Sequence, residues 1–271
     1  MITAPPIKTL AGGISFKKIH THKVPQIDSK SIKRPTVTEG VDATHGFSVP
    51  RTRLDISGDI YDWSYKVGGQ WSDGGDFALM DAYVDGLGFR VGQFKAPFMS
   101  EVMTSDADTL ATERSIIAHQ FGQGRSQGVQ YGYRTRLGGV RLAYTDGFNT
   151  ANGAGVQNGQ AFTARAGVDV ADWWNIGAAI SYNDLVATDY TTYTIDTKVA
   201  FGGLDLTAAY VATSGDAGDN WGATVQAGYM CMENFQGFVA YEYGELEGVT
   251  ENLSTFTVGA NYWFNDNVKW T

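Results

Sequence analysis

From residue 47 onward, apolar and polar residues alternate with a period of two. In the segment VRLAYT, which begins at Val140, the valine, leucine and tyrosine would point to one side of a strand and the arginine, alanine and threonine to the other. This pattern predicts an all-β protein with fourteen strands. Their predicted positions are 47–57, 61–70, 77–85, 88–95, 127–135, 139–146, 162–170, 175–183, 192–201, 204–212, 221–231, 235–244, 254–264 and 267–271.

The connections between these predicted strands are alternately short and long. The short ones lie near 58–60, 86–87, 136–138, 171–174, 202–203, 232–234 and 265–266, and the long ones near 71–76, 96–126, 147–161, 184–191, 213–220 and 245–253. A Greek-key sandwich would mix the two kinds, whereas a meander with tight turns at one end and long loops at the other separates them. The pattern therefore favours an antiparallel up-and-down transmembrane β-barrel.

The longest connection follows the predicted hairpin that turns at Asp85-Gly86, a dipeptide typical of type I′ turns. It runs from Lys95 to Gln127, and a connection of that length within a compact fold is usually functional. Ser105 and Asp108 have a spacing that resembles a capping box, which predicts a short helical turn there. We therefore expect the functional part of the protein at this loop, either at the mouth or within the bore of the barrel.

Composition and charge limit the remaining classes of function. The 271 residues carry 20 Lys and Arg against 29 Asp and Glu, and this acidic total argues against a nucleic-acid partner. The charge is uneven: residues 46–145 hold 10 basic and 11 acidic side chains, but residues 146–271 hold 3 and 15. The single cysteine excludes a disulfide framework. The four histidines lack the neighbouring cysteines or carboxylates that a zinc site needs, so we predict no metal site and no cofactor. No nucleophile–base pair stands out, so we predict no catalytic residue.

A set of short motifs between residues 46 and 135 resembles the phosphate-selective porins O and P of Gram-negative outer membranes. In chain order, the motifs are Arg51-Thr-Arg53-Leu54 with Ser57-Gly58, Asp81-Ala-Tyr83, Val91-Gly-Gln-Phe-Lys95 with Pro97-Phe98, Glu113-Arg-Ser115, and Arg125 with Gly128. The resemblance implies a homotrimeric outer-membrane porin of sixteen strands, surrounded by lipid and passing small solutes, with a preference for anions and phosphate in particular. It also implies a loop that folds inward and narrows the channel.

The two ends of the chain depart from this family pattern. Residues 1–45 are rich in lysine and proline, show little periodicity and contain no secretory signal, so we expect an atypical and poorly ordered segment there, followed by the barrel over 46–271. The last predicted strand stops at Thr271, which indicates a barrel that is incomplete at its C-terminus. The segment 11–20 is a candidate for the missing first strand. These features predict a fragment or a mis-started chain.

Basic residues on the polar faces of the strands are the candidate selecting groups. Since the apolar face of each strand must meet lipid, Arg51 and Arg53 should point into the bore, and planar guanidinium groups suit anions. The predicted pore-lining residues are Arg51, Arg53, Arg90, Lys95, Arg125, Arg141 and Arg165. Glu113 and Arg114 are expected to brace the loop against the wall. The alternative is that each arginine pairs with a nearby carboxylate and only supports the wall.

Two other classes of protein remain open at this point. One is a soluble, acidic all-β module for binding or surface attachment, which would need no detergent. The other is a barrel enzyme such as a lipase, for which His119 is the sole histidine in the barrel region.

Overall fold

A computed structural model describes residues 15–20, 51–72, 75–152, 159–185, 188–266 and 268–271. These residues form fifteen β-strands and three short helical segments. The strands are β1 Ser15–His20, β2 Arg51–Ile60, β3 Trp63–Ser72, β4 Phe77–Gly86, β5 Phe89–Lys95, β6 Arg125–Thr135, β7 Gly138–Thr145, β8 Gln160–Ala171, β9 Trp174–Leu185, β10 Thr188–Phe201, β11 Leu204–Gly215, β12 Asn220–Met232, β13 Phe235–Glu245, β14 Leu253–Asn265 and β15 Val268–Trp270. Each strand pairs antiparallel with the next along the chain, so the predicted up-and-down meander is confirmed.

The fourteen predicted strands are all present as β2 to β15, with ends that differ by a few residues. Ser15–His20 forms an additional strand that pairs with β2, at the place proposed for a first strand. Strands β1 and β15 are the two edges of the sheet, and they do not pair with each other among the described residues. The total of sixteen stays a prediction, as does the division at residue 45, since most of residues 1–45 lies outside the described residues.

One predicted turn is displaced. The β4–β5 hairpin turns at Leu87 and Gly88, which have φ angles of 54° and 84°, and not at Asp85-Gly86. Two consecutive residues with positive φ are what a type I′ turn requires. Asp85 is instead a strand residue that lies opposite Arg90, and the two form a cross-strand ion pair that is compatible with this register.

The distribution of burial is the reverse of that in a soluble sandwich. Large apolar side chains are exposed on the outer face, with Leu142 at 54% and Val258 at 71% of their maximum area. On the inner face, polar residues are buried: Thr163 lies opposite Ser181, and they are only 3% and 0% exposed. In water this arrangement would leave much apolar surface uncovered, whereas lipid hydrocarbon covers it without penalty.

The long connection between β5 and β6 folds onto the inner face. It contains α1 Ser100–Met103, a 3-10 turn Asp106–Asp108 and α2 Ile116–Phe121. Ser105 accepts a hydrogen bond from the amide of Ala107 and so caps the predicted turn. None of the helices in the described parts of the chain is long and apolar enough to span a membrane.

An apolar cluster joins the loop to the wall on one side of the bore. Its loop members include Phe98, Met99 and Ile117, all fully buried, and its wall members include Ala179 and Val211. The Cδ1 atom of Ile117 lies over Gly222 and Gly244, which face each other on β12 and β13, and it would be 2.6 Å from a Cβ atom at Gly222 and 3.0 Å from one at Gly244. The sequence of the wall is therefore shaped to receive the loop.

Candidate functional site

The first half of the loop is held by cations that donate to its carbonyl groups. Nζ of Lys95 donates to the carbonyls of Val102 (2.7 Å) and Thr104 (3.2 Å). The guanidinium of Arg114 donates to the carbonyls of Glu101 and Thr104 and forms an ion pair with Asp106. These contacts hold α1 and the 3-10 turn together as one unit.

The loop is fastened to the far wall by hydrogen bonds to β10, β12, β13, β14 and β15, in addition to the bond from Arg165 on β8 to the carbonyl of Phe98. The contacts are Ser100 N to Asp196 (3.1 Å), Gln226 to Glu101 (3.0 Å), Ile117 N to Glu242 (3.2 Å), Asn261 to the carbonyl of Leu110 (3.0 Å) and Lys269 to the carbonyl of Thr109 (2.8 Å). The loop thus reaches from its own strands across to the far wall. It divides the bore, as an inward-folded loop should.

On the near side, the loop and the wall of β2 to β7 enclose a cavity of about 240 Å³, which we name the basic cavity. Two carboxylates line it, Asp55 and Asp81. Six basic residues line it: Arg53, Lys66, Arg90, Lys95, Arg125 and Arg141. Asp85 and Asp106, which are not in this lining, pair with Arg90 and Arg53, so a smaller excess of basic over acidic side chains remains among the described residues here, in a chain whose total charge is negative.

Four of the six basic residues already have carboxylate partners. Arg90 and Arg125 form two-pronged pairs with Asp85 and Asp81, with N–O distances of 2.7 to 3.0 Å. The other two pairs are Arg53 with Asp106 at 2.5 Å and Lys66 with Asp55 and Asp81 at 3.3 and 3.4 Å. Such pairs hold a side chain in place and reduce its field, so these residues order the wall more than they attract a solute.

Arg141 differs from the other arginines of the wall. It is exposed, and the described residues supply no carboxylate for it; its one polar contact is from Nη1 to Sδ of Met103, at 3.5 Å. It also lines a second cavity of about 250 Å³, together with Arg134 and Arg165, below α1. Arg141 is therefore the cation that is common to both cavities and has donor groups available.

The opposite side of α1 is acidic. A narrow space of about 40 Å³ lies between the loop and strands β10 to β12. Its described lining contains the carboxylates of Glu101, Asp108, Asp196 and Asp205 and one basic residue, Lys198. The loop thus separates a wider basic side from a narrow acidic side. A solute that follows the wider path passes the basic wall.

The predicted pore-lining residues are placed as follows. Arg53, Arg90, Lys95, Arg125 and Arg141 line the basic cavity, and Arg165 lines the second one. Only the backbone of Arg51, at the start of β2, belongs to the described structure. Their selection of anions stays a prediction.

The two predicted bracing residues lie within the loop. Arg114 binds other loop residues, and reaches the wall through Asp106, which also pairs with Arg53. Glu113 is half-buried and has interactions of its own, and its bracing role stays a prediction.

Sequence reasoning missed several residues of the site. Lys66 was detectable, since it shares a strand face with Ser64 and Gly68 opposite the apolar Tyr65 and Val67. Met103 and Asp196 gave no local signal, because their roles come from contacts between segments that lie far apart in the sequence. In the described part of the chain, no three His, Cys, Asp or Glu side chains gather as metal ligands would.

An up-and-down sheet with an apolar outer face, a polar inner face and a loop folded inward defines the class of outer-membrane diffusion porins. The family model of the phosphate-selective porins O and P matches residues 21–172, more than half of the chain. The chain belongs to this family. It is therefore a passive diffusion channel of the Gram-negative outer membrane, and the alternative of a soluble binding module is set aside. No curated protein sequence matches the chain.

Solved porins share the fold at low sequence identity. OmpF of Salmonella typhi, in complex with daunomycin, is 12% identical, with a TM-score of 0.66 over 83% of this chain and 82% of its own. OmpT of Vibrio cholerae, in a trimer form, is 14% identical, with a TM-score of 0.61 over 84% and 80%. An anion-selective porin from Comamonas acidovorans is 10% identical, with a TM-score of 0.61 over 83% and 76%. These likenesses concern the fold alone.

Proposed function

We propose that this porin passes small anions in preference to cations, and that Arg141 contributes most to the preference. The observation that carries the proposal is the position of Arg141, which lines the basic cavity and has no carboxylate partner among the described residues. Rings and ladders of basic side chains in a narrow bore favour anions by raising their local concentration. The family is described as phosphate-selective, and phosphate falls within the solute class proposed here.

Arg141 is singled out because it is the arginine of this wall whose charge is not offset by a carboxylate among the described residues. A unit charge about 5 Å from the path of an ion changes its energy by about 0.8 kcal/mol even in water, which is roughly a fourfold change in local concentration. An arginine that is paired with a carboxylate changes the energy of the ion much less, because the negative charge of the carboxylate opposes its positive charge. Removing one unpaired charge should therefore have a measurable effect.

The test is the reversal potential of single channels in a KCl gradient. Wild-type protein should show anion selectivity, and Arg141→Gln should lower the ratio of chloride to potassium permeability by at least about fourfold. Arg136→Gln is the matched control, because Arg136 is an exposed arginine in the β6–β7 turn and lines neither cavity. A cation-selective wild-type channel, or an equal effect of the two variants, would contradict the proposal.

We also propose that the protein is a homotrimer embedded in outer-membrane lipid. OmpT, which shares the fold, was solved in a trimer form, and the exposed apolar outer face offers surface for both lipid and neighbouring subunits. Analytical ultracentrifugation in a density-matched detergent should give three chains per particle. A single chain per particle would contradict the trimer and leave the diffusion channel itself unaffected. The family and fold indicate a channel and not an enzyme, and we propose no catalytic role for His119.

A further inference from the structure

Met103 lies where the basic cavity and the second cavity meet. It is the last residue of α1, and its side chain lines the basic cavity and also the second cavity. Among the residues that the structure describes, Arg141 is the only other one common to both linings, and its Nη1 lies 3.5 Å from the sulfur of Met103. Met103 and Arg141 therefore touch each other at the boundary between the two cavities.

The backbone of Met103 is held firmly while its side chain is not. Met99 and Val102 anchor α1 in the apolar cluster, and the amide of Ser100 donates to Asp196. Lys95 fixes the carbonyls on either side of Met103, those of Val102 and Thr104. Met103 itself is half-buried, and its side chain has three freely rotating bonds, so it can change rotamer without any movement of the loop.

The contact with Arg141 is also weak enough to be exchanged. A thioether sulfur is a poor hydrogen-bond acceptor, whereas the oxygen of an anionic solute forms a shorter, charge-assisted bond with a guanidinium. A passing anion can therefore displace Met103 from Arg141 at little cost. Once the anion has left, the sulfur of Met103 returns to its contact with Nη1 of Arg141.

We propose that Met103 is a movable cover on Arg141 that separates the two cavities and limits, by its volume, the size of the anions that pass. The inference rests on the proposed anion preference. It adds a residue, Met103, that discriminates among anions by their size. The cover acts through its bulk. A side chain of similar volume without sulfur should therefore replace it, and a small one should not.

The experiment compares three variants in planar bilayers, with reversal potentials measured between potassium chloride and potassium gluconate. Met103→Ala should raise the ratio of gluconate to chloride permeability by at least about threefold, since a threefold change in crossing rate needs only about 0.65 kcal/mol of barrier. Met103→Leu keeps the volume and should stay close to wild type. Met80→Ala is the matched control, because Met80 is a half-buried methionine that lines the basic cavity but not the second one.

The outcomes separate this inference from the proposed function. If the wild type is anion-selective and Met103→Ala gives the same permeability ratio as Met80→Ala, the cover is wrong and the anion preference stands. If Met103→Leu changes the ratio as much as Met103→Ala does, volume is not what Met103 contributes, and the inference is again overturned. A cation-selective wild type overturns both. The expected result is a change confined to Met103→Ala in a channel that remains anion-selective.

Discussion

The two sides of the inner wall are built from different chemistry. On strands β2 to β7 the inner face is crowded with charges, and it borders the open basic cavity. On strands β9 to β14 it carries mainly hydroxyl and amide groups, such as Ser181, Gln226 and Asn261, which are buried under the loop. One side meets the solute and the other holds the loop that narrows the path.

This comparison shows why the total charge of a porin says little about its bore. Residues 146–271 hold 15 of the 29 acidic side chains, yet eight of those 15 lie in turns and loops outside the strands. These eight are Asp146, Asp172, Asp216, Asp219, Glu233, Glu247, Glu251 and Asp266. Of the acidic residues on the inner face, Asp196 and Glu242 are used to bind the loop and Arg165. The acidic half of the chain thus leaves the open side of the bore basic.

The largest predicted effect concerns the pair that joins the two sides. Arg165 on β8 and Asp196 on β10 form a two-pronged pair with side chains only 8% and 3% exposed, and Arg165 also donates to the carbonyl of Phe98 in the loop. Arg165→Ala would leave Asp196 buried without its partner, which typically costs about 3–5 kcal/mol. Urea unfolding of the protein in lipid vesicles should show this loss, and the loop should become open to protease.

A double variant sharpens that test. Arg165→Met with Asp196→Asn removes both charges with little change in side-chain volume, and it should recover most of the lost free energy of unfolding. If Arg165→Ala left the free energy of unfolding unchanged, the pair would not hold the two sides together.

The next effect distinguishes the outer face from the inner one. Leu142 on β7 is exposed on the outer face, so Leu142→Lys should destabilise the protein in lipid by about 2–4 kcal/mol if the residue lies near the bilayer midplane. Gln130→Lys places the same charge on β6, where Gln130 lines the basic cavity, and the water there should make the change far milder. The free energy of unfolding in vesicles measures both variants. Equal costs would mean that the two faces meet the same medium.

A smaller effect tests how α2 of the loop begins. The hydroxyl of Ser115 accepts a hydrogen bond from the amide of Ala118 (2.9 Å) and donates to Glu101 (2.7 Å). Ser115→Ala should cost about 1 kcal/mol of unfolding free energy, the usual value of a lost helix cap. Ser105→Ala is the comparison, since Ser105 is exposed and caps only a single 3-10 turn, and its effect should be smaller.

The smallest effect is expected at an ion pair in water. Arg134 pairs with Asp169 at 2.8 Å, but its side chain is 72% exposed. Arg134→Ala should change the unfolding free energy by no more than about 1 kcal/mol, because solvent screens such a pair. A loss comparable to that of Arg165→Ala would show that burial does not distinguish the two pairs.

Much of the wall was predictable because a period of two is a local property of the sequence. The fourteen strands and the alternation of tight and long connections follow from it directly. The exceptions are instructive: Phe238 breaks the polar face of β13, yet it is buried against Gly259 of the neighbouring strand, where the glycine leaves room for its ring. Local alternation could not predict this, since the space is provided by another strand.

The site was less predictable, because its contacts join segments that are far apart in the sequence. The period of two placed Arg141 and Arg165 on the inner face, but it could not show that Arg165 would be paired and Arg141 left open, since Asp196 lies 31 residues from Arg165. Asp85-Gly86 was a plausible turn by composition, but the turn lies at Leu87 and Gly88, and Asp85 pairs with Arg90 across the strands. Contacts between distant segments decided each case.

The most direct measurement of the central claim is the local potential on the open side of the bore. Cys231 is the chain's single cysteine, so a Cys231→Ser background with Gln130→Cys places one thiol in the basic cavity. The rates of modification by an anionic and a cationic methanethiosulfonate, each divided by its rate with a free thiol, report the sign of the potential there. A positive wall predicts faster reaction with the anionic reagent, and loss of that advantage on adding Arg141→Gln. Faster reaction with the cationic reagent would contradict the account.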